Sequence, residues 1–222
     1  MGFWSSLGSA ISSFVSGAVS VVSNAIKSVG KAVVETAKEF LQVGIDKLKV
    51  VVEILEIIAK ALGIIKPEED AEELGDKAMR ADKKPEDFDS INEYIEYLRN
   101  EIKSSREEFE KLSPEERLAR KAVGSALLAK AIEEKKSLEI PVEFWNEAVR
   151  VGLDSKEIDQ FLDKFKKAGV SPSDFVKYLK RELESRDESK MDSVLIQAYK
   201  ELEPTMDEKD IEEKVVRLQS NG

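Results

Sequence analysis

The residues that could carry chemistry in this chain are carboxylates, because the sequence contains neither histidine nor cysteine. Acidic side chains cluster at Glu68 to Asp70, at Glu72-Glu73 and at Asp207-Glu208. Such pairs could act as general acid and base or hold a divalent cation. They also suit the exposed first turns of helices, where acidic side chains favour the helix dipole. Since no nucleophile and base can be paired, we expect no enzyme, no catalytic residue, no metal ion and no cofactor.

The elements around these carboxylates are predicted to be helices. Apolar residues recur at steps of three or four, for example at Phe88, Ile91, Ile95, Leu98 and Ile102, which is the spacing of one helix face. Strand patterns are almost absent. The predicted fold class is all-α: a long amphipathic, hydrophobic N-terminal helix or helical hairpin, followed by a helical bundle of short amphipathic helices.

Several helix starts are marked by capping residues. The pattern of a Ser, Thr or Asp followed three residues later by Glu predicts capping boxes at Ser113 with Glu116, Asp154 with Glu157, and Thr205 with Glu208. Ser171-Pro172 predicts a further helix start. Six aromatic residues behind these starts are expected to form the core of the C-terminal domain: Phe144, Trp145, Phe161, Phe165, Phe175 and Tyr178.

The front of the chain carries an apolar stripe with a period of 11 residues. This period corresponds to about 3.67 residues per turn, which keeps a stripe on one side of a nearly straight helix. We therefore expect one helical rod whose apolar side meets a broad external surface instead of the protein's own interior. The stripe consists of Trp4, Leu7, Ile11, Val15, Ala18, Val22, Ile26, Val29, Val33, Ala37 and Phe40.

Charge is distributed unevenly along the sequence. Residues 1–26 contain no charged side chain, and residues 1–50 carry five lysines and three acidic residues, although the whole chain has a net charge of −10. An apolar, mildly basic front on an acidic body fits an anionic membrane surface. It does not fit nucleic acid as a partner.

The stretch Ala25 to Glu39, with the sequence AIKSVGKAVVETAKE, resembles the 11-residue amphipathic repeats of synucleins, perilipins and exchangeable apolipoproteins. The resemblance covers residues 4–40. It implies a helix that becomes ordered on lipid. The uncharged first 26 residues depart from those families and are closer in style to membrane-active peptides.

Composition divides the chain into three segments. Residues 1–65 are predicted to be a membrane-active or assembly segment, residues 66–87 an acidic linker, and residues 88–222 an acidic α-helical domain that could bind a protein partner. The start of the sequence shows no pattern of a cleavable signal peptide. We expect a protein made in the cytoplasm that acts at a membrane or is exported by a non-classical route.

The function predicted from these patterns is that of a membrane-active α-helical protein, a pore-forming or membrane-permeabilising effector that self-associates on a lipid bilayer. The alternative is a helical structural or assembly component of a virion, phage tail or secretion apparatus. The residues expected to contact the membrane are Phe3, Trp4, Leu7, Ile11, Phe14, Val15, Val22, Ile26, Lys27, Lys31 and Lys38.

Overall fold

A computed structural model describes the backbone of residues 3–104 and 106–220, and the side chains of residues 12–104 and 108–220. Within these ranges the protein is all-helical, as the sequence predicts, and contains no strand. The chain forms two compact units that divide between Ile132 and Glu133. The segment boundaries predicted from composition, after residues 65 and 87, both lie inside the first unit.

The first unit contains the apolar front and the acidic segment that follows it. Its helices are α1 (Phe3–Asn24), α2 (Ile26–Val29), α3 (Lys31–Gln42), α4 (Ile45–Ala61), α5 (Ala71–Arg80), α6 (Ile91–Glu101), α7 (Arg106–Phe109) and α8 (Pro114–Lys136), with a 3-10 turn at Pro85–Asp87. The division between the units falls within α8. The second unit contains α9 (Val142–Arg150), α10 (Ser155–Ala168), α11 (Pro172–Leu179), α12 (Ser185–Leu202) and α13 (Glu208–Ser220).

The front is not one straight rod. Helix α1 ends at Asn24 and the short α2 follows it. Gly30 then adopts φ 77° and ψ 160°, which interrupts the helical path before α3 begins at Lys31. Helices α1 and α3 pack against each other. We call residues 3–42 the front hairpin.

The apolar stripe therefore folds against itself and against its neighbours. The prediction that this side faces outward is wrong for most of its described members, because turning the chain at Gly30 brings the two halves of the stripe together. The buried members are Ala18, Val22, Val29, Val33, Ala37 and Phe40.

Helix α4 buries a wide apolar face, with Leu48, Val51, Leu55 and Ile58 almost fully enclosed. It packs against α3. Arg99 of α6 holds the connection between α4 and α5. It donates from Nε to Glu69 Oε1 at 2.8 Å and from Nη2 to the Ile64 carbonyl at 3.0 Å. These bonds fix the polypeptide between α4 and α5 onto the packed body of the unit.

Helix α5 lies in the segment that the composition marks as an acidic linker, yet it is an interior element. Ala71, Leu74 and Ala78 are buried, and Gly75 contacts α8 through backbone atoms. A Cβ at Gly75 would lie 1.8 Å from the Arg120 carbonyl oxygen, and a Cβ at Gly124 would lie 1.7 Å from the Ala71 carbonyl oxygen. The two helices therefore cross at a distance that only glycine allows.

A buried carboxylate lies beside this crossing. Asp76 has no solvent exposure, and its oxygens accept from Arg120 Nε at 2.7 Å, Arg80 Nε at 2.8 Å and Ser104 Oγ at 3.1 Å. These partners come from α5, α8 and the residues after α6. An ionised carboxylate loses its water when it is buried, so it needs charged and polar partners in exchange. These three side chains supply them.

The second unit is built on the aromatic core that the sequence predicts. All six predicted residues are at most 1% exposed, and the buried Tyr199 of α12 joins them. The Phe161 ring meets the Tyr199 ring edge to face at 5.3 Å, a favourable geometry for aromatic pairs.

Most of the predicted helix caps are present. Ser113 and Glu116 bond reciprocally, as do Asp154 and Glu157. Thr205 is not the cap of the last helix. Asp207 accepts from the Lys209 N–H at 3.0 Å, because residues 204–206 form a turn and α13 begins only at Glu208.

Candidate functional site

The outward side of α1 carries hydroxyl groups instead of charges. Ser12, Ser13, Ser16 and Ser20 are exposed, whereas Ala18 and Val22 on the opposite side are fully buried. We call these four residues the serine side. A water-facing helix elsewhere in this chain presents Lys and Glu, as α3 does with Lys31, Glu35 and Glu39. The serine side is therefore an unusual solvent surface for this protein.

Some serine hydroxyls of α1 are already hydrogen-bonded within the helix. Ser16 Oγ donates to the Ser12 carbonyl at 2.8 Å, and Ser23 Oγ donates to the Val19 carbonyl at 2.7 Å. A serine that bonds to the carbonyl four residues earlier takes its partner with it when the helix moves. The cost of removing these hydroxyls from water is reduced accordingly.

The turn of the front hairpin is held by two contacts from elsewhere in the first unit. Glu86 Oε1 accepts from the Lys31 N–H at 3.2 Å, at the start of α3. Tyr94 Oη donates to the Ser28 carbonyl at 3.4 Å. Burial raises the pKa of Tyr94, so that its phenol remains protonated and able to donate. The N-cap residues of α2 and α3, Ala25 and Gly30, make no side-chain cap of their own.

Helix α1 also contacts the first turn of α8. A Cβ built on Gly17 would lie 3.0 Å from Glu115 Cγ and 3.6 Å from Glu115 Cβ. Residues 17 and 115 therefore face each other directly. The sequence does not mark either residue as part of a site, because only the fold brings positions 98 residues apart into contact. The signal that the sequence does offer is Gly17, a small residue in an apolar helix.

The residues predicted to contact a membrane occupy different environments. Phe14 and Val15 are half-buried, Val22 is fully buried, and Ile26 is 44% exposed. Lys27 and Lys31 are exposed at the turn, and Lys38 is half-exposed. The side chains of Phe3, Trp4, Leu7 and Ile11 lie outside the described part. The fold thus collects the two exposed lysines and Ile26 at one turn and withdraws Val22 into the interior.

Two properties of the described chain bear on its chemistry. None of the helices in residues 3–104 and 106–220 is both long enough and apolar enough to cross a membrane. Over the same residues, no group of three or more acidic side chains is arranged to hold a metal ion.

Comparisons with protein-family models, with curated proteins and with solved structures give no match to this chain.

Proposed function

We propose that this protein is a pore-forming or membrane-permeabilising protein that stores its front hairpin in the fold and releases α1 to a lipid bilayer. The observation that carries the proposal is the serine side of α1, a helix of 22 residues with no charged side chain. Charged residues at the centre of a bilayer cost about 2.5–3.5 kcal/mol each on the insertion scale. Helix α1 avoids that cost entirely.

The proposed pore assembles from several copies of α1. A lone α1 lacks the hydropathy to span a bilayer, but small residues such as Ser9, Ser13 and Gly17 allow helices to approach closely. In such an assembly the apolar side meets lipid and the serine side lines water. The hydroxyls that bond within the helix support this arrangement, because they need few new partners.

Release would occur at the turn of the front hairpin. Gly30 already interrupts the helical path there, and the bonds from Glu86 and Tyr94 to the turn would have to break for α1 to separate from α3. The exposed Lys27 and Lys31 would approach anionic headgroups there, each worth about 1 kcal/mol near a charged surface. The buried Ala18 and Val22 would exchange the protein interior for hydrocarbon, which is a small change for apolar side chains.

Locking α1 to α8 tests whether release is required. The double variant Gly17→Cys/Glu115→Cys should form a disulfide, since the two Cβ positions lie about 3.6 Å apart and disulfides have Cβ–Cβ distances of about 3.5–4.5 Å. The native chain has no cysteine, so no other pairing competes. We expect the oxidised variant to release dye from anionic liposomes at least about tenfold more slowly than the native chain, because a disulfide contributes about 2–4 kcal/mol against opening.

The same protein after reduction is the matched control and should release dye at the native rate. Each single-cysteine variant should behave as the native chain under both conditions. Equal release from the oxidised and reduced forms would show that α1 does not separate from α8. An absence of release by the native chain would refute the membrane activity itself.

A second test addresses the lining of the pore. Ser16→Lys/Ser20→Lys places two cations on the serine side, where both residues are exposed in the fold, so that unfolding free energy should change by no more than about 0.5 kcal/mol. Rings of lysine favour anions in pores. We expect the reversal potential of the conductance in a planar bilayer to shift toward anion selectivity.

The control variant is Ser189→Lys/Ser193→Lys on α12. These serines are also exposed and donate to the carbonyls of residues 185 and 189 at 2.9 Å. They lie outside the front hairpin and should leave the selectivity unchanged. If both double variants conduct like the native chain, the serine side does not line the pore.

Two exposed apolar side chains favour assembly as the second candidate function. Val50 and Ile57 of α4 are 43% and 54% exposed and lie two turns apart on one side of the helix. A helical component of a larger particle could use these two side chains as a contact surface between copies. Light scattering at micromolar concentration distinguishes the candidates: a defined oligomer without lipid, dispersed by Ile57→Lys, supports assembly and opposes the pore.

A further inference from the structure

A cleft of about 400 Å³ opens in the first unit between α1, α4, α5 and the start of α8. Six of the residues around it are apolar and come from α1, α4 and the chain around the start of α8: Phe14, Ile45, Leu48, Leu112, Pro114 and Leu118. A volume at the lower end of the range of about 300–1,000 Å³ for ligand pockets suits one acyl chain better than two. These apolar side chains form a surface that can bind a hydrocarbon chain.

The polar residues of the cleft are mostly cationic. Lys49 and Arg117 are exposed and Lys121 is half-exposed, and the one carboxylate among them belongs to Glu72. Glu72 is shared between Arg117 Nε at 3.1 Å and Lys121 Nζ at 3.6 Å. Three cations around one carboxylate leave an excess of positive charge at the open side of the cleft, in a protein whose net charge is −10.

We propose that this cleft binds a fatty acid, with the acyl chain along the apolar walls and the carboxylate facing Lys49 and Lys121. An open apolar cleft with a cationic rim complements a single-chain anionic amphiphile in composition and charge. Lysine stems also cover apolar surface while their ammonium groups remain in water. The inference concerns ligand binding in solution and does not depend on the proposed pore.

The occupant is tested with the full-length protein and monomeric laurate by isothermal titration calorimetry. We expect one laurate bound per chain and a negative heat-capacity change, the mark of buried apolar surface. Ile45→Trp fills the cleft from its half-exposed wall and should abolish binding. The matched control is Ala61→Trp, an exposed position on the same helix that does not line the cleft, and it should bind as the native chain does.

Charge variants test the carboxylate contact. Lys49→Gln/Lys121→Gln should raise the Kd for laurate about tenfold, because it removes the charge-assisted bonds, whereas Lys47→Gln, an exposed lysine outside the cleft, should change nothing. Dodecanol, the neutral analogue, should bind equally to the native chain, to Lys49→Gln/Lys121→Gln and to Lys47→Gln. Glu72→Gln should lower the laurate Kd severalfold, since it frees Arg117 and Lys121 for the ligand.

The inference is overturned if laurate does not bind, or if Ile45→Trp and Ala61→Trp bind it equally well. It also fails if the lysine variant weakens dodecanol and laurate to the same extent, since that result would report damage to the cleft and no recognition of a carboxylate. Loss of dye release with normal laurate binding would refute the pore and leave the fatty-acid site standing.

Discussion

Replacing Gly75 or Gly124 with alanine is expected to destabilise the protein by about 3 kcal/mol or more, the upper range of overpacking and backbone displacement. Within an exposed helix the same change stabilises by up to about 1 kcal/mol, because alanine is the better helix former. Here each new methyl group would overlap a carbonyl oxygen of the facing helix, at 1.8 Å for Gly75 and 1.7 Å for Gly124. Helices α5 and α8 can only respond by moving apart.

Urea denaturation monitored by circular dichroism measures this effect. The control is Gly63→Ala, where φ is 68° and no atom lies within 4 Å of the new Cβ. Backbone strain alone should cost about 1 kcal/mol there. If Gly75→Ala or Gly124→Ala costs no more than Gly63→Ala, the close crossing of α5 and α8 is not part of the native state.

Removing the Asp76 carboxylate should have a comparable effect. Asp76→Ala is expected to lower the free energy of unfolding by about 3–5 kcal/mol, the usual cost of breaking a buried ion pair from one side. Arg120 Nε, now 2.7 Å from the carboxylate, would be left without its partner in a poorly hydrated place. Glu68→Ala removes an exposed carboxylate and should change stability by no more than about 0.5 kcal/mol.

The contribution of Asp76 should also depend on pH. Burial by itself raises the pKa of Asp76, but hydrogen bonds from Arg120 and Arg80 outweigh it and hold the pKa below its ordinary value. A carboxyl group whose pKa is lower in the folded than in the unfolded state stabilises the protein above the unfolded pKa, about 3.9 for aspartate. The stabilisation is lost as the pH falls through the folded pKa.

We therefore expect the difference in unfolding free energy between the native chain and Asp76→Asn to be constant from about pH 5 to 8 and to shrink below about pH 4. A difference that already shrinks near pH 6 would contradict the lowered pKa. The ion pairs of Asp76 persist in mild acid, so they do not form a switch that opens between pH 5 and 6.

Local patterns in the sequence are sufficient to predict the helical fold and the aromatic core of the second unit. Apolar spacing identified the helices, and capping side chains marked their starts at Ser113, Asp154 and Ser171, because these signals act within one or two turns. Burial of the aromatic residues from Phe144 to Tyr178 followed from their size and periodicity. Where a cap was misplaced, at Thr205, a neighbouring Asp207 offered the same chemistry two residues later.

Tertiary structure alone decided how the front is used in the fold. The 11-residue stripe is present in the sequence, but a period describes only one helix. It cannot reveal that the chain turns back at Gly30 and buries Val22. In the sequence, Gly75 and Asp76 are ordinary residues of an acidic segment, and Gly124 is an ordinary helix residue. Their importance comes from contacts between α5 and α8, which join positions more than forty residues apart. Contacts at such separation depend on the path of the whole chain, which local spacing does not encode.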